Sequence, residues 1–176
     1  MLRRAFIIFA SCALLGLCAC GSAGGGSSSS DPVVSDFSCE ADIRYQDMTL
    51  KGTLTRTTAG TLSMTFSEPD TLKGVTAEWN GETVRASLYG LSFDLSPSTL
   101  PAGALGKVLT DALDAALRSP KDGALTEEGW RWEGTGQNGT VTILSDPDDG
   151  SLLSMEVPSV PLTASFSSFK KSGATN

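Results

Sequence analysis

Leu105-Gly106-Lys107-Val108-Leu109-Thr110-Asp111-Ala112-Leu113-Asp114-Ala115-Ala116-Leu117 is the stretch on which the fold turns, because the hydrophobic period changes there. Leu105, Val108, Leu109, Ala112, Leu113, Ala116 and Leu117 recur at intervals of three and four, while Lys107, Asp111, Asp114 and Arg118 take other positions. This spacing gathers the apolar groups on one side of an amphipathic helix of about four turns. Pro101 and Pro120 bracket it, so the helix is expected to start after the first and stop before the second.

On both sides of the helix the period falls to two, the mark of half-buried strands. Upstream, the reading gives strands at Phe37 to Tyr45, Met48 to Thr55, Thr61 to Ser67, Leu72 to Trp79 and Glu82 to Leu88. Gly90 is expected to bulge the last of these before Leu91, Phe93 and Leu95 continue it. Downstream, strands run through Trp130 and Trp132, then Thr140 to Leu144, Leu152 to Val157 and Leu162 to Phe166. Ala59-Gly60, Asn80-Gly81, Asn138-Gly139 and Asp149-Gly150 are expected hairpin turns, since Asn-Gly and Asp-Gly tolerate positive φ. One helix cannot cover both faces of about nine strands, so the sheet has to curl around it. The fold class expected is α+β: a curved antiparallel β-sheet, a half-barrel of about nine strands, wrapped around one amphipathic helix.

The N-terminus reads as an address. Arg3 and Arg4 precede an apolar stretch from Ala5 to Leu17, whose 13 residues are short for a bilayer span. Leu17-Cys18-Ala19-Cys20-Gly21 resembles a bacterial lipobox, which implies cleavage before Cys20 and a diacylglycerol on its thiol. Cys18 would instead leave Leu17 at the cleaved bond, where the peptidase of such signals takes small side chains. An ordinary secretory signal that happens to contain cysteines is the other reading. The expected organisation is a lipoprotein signal peptide over residues 1–19, a lipidated Cys20 with a Gly/Ser-rich tether over 20–34, and a single half-barrel domain over 35–176. Buried acyl methylenes contribute about 0.8 kcal/mol each, so two or three chains anchor lastingly. The resemblance thus implies a protein held by lipid on the extracytoplasmic face of the bacterial cell membrane.

Once residues 1–19 are removed, 11 cationic side chains face 20 carboxylates, a net charge of −9. An acidic body without a basic patch argues against nucleic acid as a partner. The chain has no histidine, so every histidine-dependent triad is excluded. Of its four cysteines, Cys12 and Cys18 leave with the signal and Cys20 takes lipid, so Cys39 is left alone. It falls in the apolar row Phe37, Cys39, Ala41, Ile43, Tyr45 and reads as a small buried hydrophobe, not a reactive thiol.

Asp146-Pro147-Asp148-Asp149-Gly150 fails as a calcium loop: counted from Asp146, Gly150 falls at position five and Val157 at twelve, where glycine belongs at six and glutamate at twelve. Glu127 and Glu128 are a carboxylate pair without a fixed geometry, and no serine sits in a nucleophile elbow. No metal, cofactor or catalytic residue is expected, and the chain is not expected to be an enzyme.

The run Phe66-Ser67-Glu68-Pro69-Asp70-Thr71-Leu72-Lys73-Gly74-Val75-Thr76-Ala77-Glu78-Trp79-Asn80-Gly81-Glu82, a strand, a Pro-x-x-Leu-x-Gly corner and a strand ending in a hairpin, resembles the LolA-like lipoprotein-carrier superfamily. So does the ending Val157-Pro158 to Phe166-Ser167-Ser168-Phe169. That superfamily includes outer-membrane lipoprotein localisation factors, mycobacterial lipid-binding lipoproteins and clostridial germination lipoproteins. The resemblance implies a concave apolar sheet that takes a lipid or acylated ligand. Leu105, Val108, Leu109, Leu113, Trp79, Trp130 and Trp132 are the candidate hydrophobic wall, with Tyr45 and Tyr89 as further candidates for its rim. The alternative is that the helix fills the concavity. The chain would then be a non-catalytic interaction module, presenting a sheet edge or its acidic surface to an envelope protein.

Overall fold

Alternation along the chain builds one antiparallel sheet. The computed structural model describes residues 34–81, 83–96, 104–119 and 123–172. The expected signal peptide, Cys20 and the tether up to residue 33 lie outside the described residues, as do Pro101 and Pro120. The elements are β1 (Phe37–Tyr45), β2 (Met48–Arg56), β3 (Leu62–Glu68), β4 (Thr76–Trp79), β5 (Val84–Leu88), β6 (Leu91–Leu95), α1 (Leu105–Arg118), β7 (Gly123–Thr126), β8 (Gly129–Gly136), β9 (Gly139–Ser145), β10 (Leu152–Val157) and β11 (Leu162–Lys171).

The 11 strands lie in the order β6-β5-β4-β3-β2-β1-β11-β10-β9-β8-β7, every neighbouring pair antiparallel. Each half is a meander of hairpins, and the β1–β11 ladder joins the halves, from Phe37 opposite Lys171 to Tyr45 opposite Leu162. The sheet is open, with β6 and β7 as its edges, and α1 is the helix between those two strands in the chain.

Eleven strands replace the nine expected. Leu91 to Leu95 is not a bulged continuation: Tyr89 and Gly90, at φ 51° and 81°, form a two-residue turn that reverses the chain. β7 is a separate short strand paired with β8. The strand expected from Leu72 starts only at Thr76, because Asp70–Leu72 forms one 3₁₀ turn and Gly74 takes φ 81°. Two turns move by one residue. In the β4–β5 hairpin Asn80 N–H donates to Thr83 O across a turn with Gly81 (φ 90°) at its first central position. In the β8–β9 hairpin Gln137 and Asn138 form the turn and Gly139 (φ 93°) follows it.

β1 shows the alternation plainly: Phe37, Cys39, Ala41, Ile43 and Tyr45 are buried, and Glu40, Asp42 and Arg44 are exposed. The core joins this row to Leu54, Met64, Ile143, Met155 and Leu162 and to the apolar stripe of α1. Three polar ties fix the helix. Arg56 on β2 is 5% exposed and pairs with Asp114 at 2.6 Å while donating to Ser35 O. Trp132 Nε1–H donates to Ser119 O at the helix C-terminus at 2.9 Å. Asp111 accepts the Gln137 backbone N–H from the β8–β9 turn.

Gly106 is buried in α1 because the Trp79 indole lies flush against it; a Cβ there would overlap the ring. In an exposed helix Gly→Ala stabilises by about 1 kcal/mol. Here overpacking, at about 1–3 kcal/mol, opposes that gain and exceeds it. Gly106→Ala is therefore expected to lower the midpoint of urea unfolding; an unchanged or raised midpoint would show that Trp79 does not pack on this turn.

Candidate functional site

The concave face divides into a covered part and an open part. In the covered part α1 supplies Val108, Leu109, Ala112, Leu113 and Ala116, each 0–1% exposed. Trp79 and Trp132 close on it at 8% and 3% exposure. Five of the seven expected wall residues (Val108, Leu109, Leu113, Trp79, Trp132) are thus packed core, while Leu105 and Trp130 are half-buried. Of the expected rim, Tyr45 is buried and Tyr89 stands in solvent at a hairpin tip.

The open part is the β5–β6 wing. Val84, Ala86 and Leu88 oppose Leu95, Phe93 and Leu91, so the two rows share one face. Val84 continues the core row by pairing with Trp79 and is buried, and Ala86 and Leu88 are half-buried. On β6, Leu91 and Phe93 are 67% and 65% exposed and Leu95 is 46% exposed. The apolar face of the core therefore runs out into solvent along an edge strand. Sequence reasoning named none of these residues as a site, although the alternation of Leu91-Ser92-Phe93-Asp94-Leu95 marks an apolar face.

On the opposite face of this wing Arg85 Nε and Nη2 donate to both oxygens of Asp94, at 2.7 and 3.2 Å. The hydrogen bond from Arg85 holds the Asp94 carboxyl below its ordinary range; desolvation opposes this, and the Arg85 charge adds to the lowering. The pair lies directly across the β5–β6 ladder, in a register set by the two-residue turn.

Elsewhere the described residues offer chemistry of another kind. A cavity of about 200 Å³ lies on the polar side of α1, lined by Trp79, Gly106, Lys107, Thr110, Asp111 and Asp114 among others. It is below the usual size of a small-molecule site and charged on one wall. Asp146 and Asp149 accept the backbone N–H groups of Asp148 and Ser151, which uses them as turn-forming groups. Glu127 and Glu128 form the exposed tip of the β7–β8 hairpin. Among the described residues no group of histidine, cysteine or carboxylate side chains is placed to hold a metal ion.

No family model and no curated protein matches the sequence. Among solved structures the chain is similar to an uncharacterized conserved protein of Thermus thermophilus, at 14% identity over 82% of this chain and 83% of that one, with a TM-score of 0.48. It is similar to a LolA superfamily protein of Nitrosomonas europaea, at 12% identity over 81% and 90%, TM-score 0.39. It is also similar to a chain of the complex between the CwlD amidase and the GerS lipoprotein of Clostridioides difficile, at 16% identity over 80% and 86%, TM-score 0.42. One of these neighbours is a member of the superfamily that the sequence resembles.

Cys39 is 2% exposed and free, and burial first, then the charge of Glu40, pushes its thiol up to about 12. A raised thiol pKa leaves the neutral form at any ordinary pH. Iodoacetamide at mildly alkaline pH is expected to leave the Cys39 peptide unlabelled in the native chain and to label it fully in guanidinium. Labelling of the native chain at the rate of a free thiol would show that β1 does not bury it.

Proposed function

We propose that this chain is a non-catalytic interaction module, anchored by lipid on Cys20 to the extracytoplasmic face of a bacterial cell membrane, which meets a protein of the envelope through the open wing of its sheet. One observation carries the reading: Leu109, Ala112, Leu113 and Ala116 fill the concavity at 0% exposure, so α1 itself occupies the place where an enclosed acyl chain would lie. What is left to recognise a partner is surface, and among the described residues the exposed apolar side chains that form a row on one strand face are Leu91, Phe93 and Leu95 on the edge strand β6. The absence of histidine from the sequence and the use of Asp146, Asp149 and Asp111 in turns and ties support a role without catalysis.

The same exposed row supports a second reading. An acyl chain of a lipid or of another acylated protein would lie along β5 and β6 as an open contact, not inside a cavity.

One measurement tests the anchor and a second separates the two readings. Growth with alkyne-tagged palmitate is expected to label the wild-type chain and not the Cys20→Ala variant; no label on the wild type, or label retained in the variant, overturns the anchor. Native mass spectrometry of the labelled chain, released from detergent, is expected to give only masses made up of whole lipidated polypeptides, with no extra acyl species. A further acyl molecule at near-stoichiometric amount would overturn the protein-contact reading in favour of the lipid one.

A further inference from the structure

The edge strand β6 has a pattern that fits itself. Its five residues Leu91-Ser92-Phe93-Asp94-Leu95 read apolar, polar, apolar, polar, apolar in either direction about Phe93. Pairs alternate along an antiparallel ladder between hydrogen-bonded and non-hydrogen-bonded. With Leu88 and Leu91 as the pair closed by the two-residue turn, Leu91, Phe93 and Leu95 bond inward to β5. The backbone N–H and C=O groups of Ser92 and Asp94 then point outward from the edge.

Natural edges are usually blunted by lysine, proline or a bulge. β6 contains neither residue, and its register with β5 is unbroken from Val84–Leu95 to Leu88–Leu91. The Arg85–Asp94 pair neutralises the one charge on the strand. Among the described residues no strand pairs with this edge, and with 46–67% exposure of every large apolar side chain it is a template for another strand.

We propose that the occupant is a second copy of this chain, paired antiparallel through β6 about a two-fold axis at Phe93. The inference rests on the reading that this wing is a contact surface, and it names the partner. In that register Ser92 faces Asp94 of the second copy, and their outward backbone groups exchange four hydrogen bonds across the axis. Leu91 faces Leu95 on both sides of it, and the two Phe93 rings meet in the central non-hydrogen-bonded pair, where side chains are closest. The arrangement is isologous and closes at two copies. Pairing of β6 with the other edge, β7, would be heterologous and would not close.

The test uses the full chain in the membranes of a bacterial host. The Phe93→Cys variant, oxidised with copper phenanthroline, is expected to give a disulfide-linked band of twice the monomer mass, above any seen for the unsubstituted chain. Leu125→Cys, on the β7 edge and also 65% exposed, is expected to stay monomeric. A monomeric Phe93→Cys chain, or equal cross-linking at both edges, overturns the two-fold pairing. As a second reading without cysteine, the detergent-extracted full chain is expected to sediment as two polypeptides and its Phe93→Lys variant as one, with the same thermal midpoint. Wild-type sedimentation as one polypeptide also overturns the proposal. If pairing fails while native mass spectrometry finds no acyl species, the contact-module reading stands with a foreign partner; if an acyl species is bound, that reading fails as well.

Discussion

The β1–β11 ladder is the constraint on which the rest of the molecule depends. Each half of the chain is a meander whose strands pair with their neighbours in sequence, and such ribbons are marginal in water until a face is buried. Only the pairing of Phe37–Tyr45 with Leu162–Lys171, more than a hundred residues apart, makes one sheet of the two. Once made, it puts the two free edges at the ends of α1, which links β6 to β7 in the chain. The Phe37 and Phe169 rings stack across this seam at 5.0 Å.

Coverage follows from that topology. Eleven strands at about 4.8 Å spacing make a sheet roughly 48 Å wide if laid flat. A helix about 10 Å across and, at 14 residues, about 21 Å long cannot cover it. Curvature brings the central strands around the helix, and the Arg56–Asp114 and Trp132–Ser119 ties set where it sits. The wings are what remains, and Leu91, Phe93 and Leu95 lie on one of them. Their exposure is a consequence of having one helix for eleven strands.

The sequence carried the strand and helix periods but not their coverage. β1, β3 and α1 were readable because bulky apolar residues recur at a fixed interval over a full element. β7 was missed because Gly123-Ala124-Leu125-Thr126 has one large apolar residue and no alternation to detect. The β5–β6 reversal looks like a bulge in sequence because tyrosine at positive φ is uncommon, and Tyr89 occupies the turn position where Asn or Asp is usual. Burial of the candidate wall is a different matter. Leu109 and Leu113 look no more buried in sequence than Leu91 and Phe93, yet the first two are fully enclosed and the others are more than half exposed. Which apolar rows of the sheet meet α1 depends on the curl of the sheet, and no local pattern encodes that.

The residues of α1 argue for a solid interior on their own. The inner face of the helix includes Gly106, Ala112, Ala115 and Ala116, all buried. Small residues let a helix backbone approach closely, and at Gly106 the Trp79 ring closes the distance entirely. Lifting α1 to admit a chain would undo the packing of Leu109, Leu113 and Trp132 and break the Arg56–Asp114 pair. A ligand laid on the β5–β6 wing, or a strand added to its edge, meets none of that cost, because the apolar surface it covers is already in water.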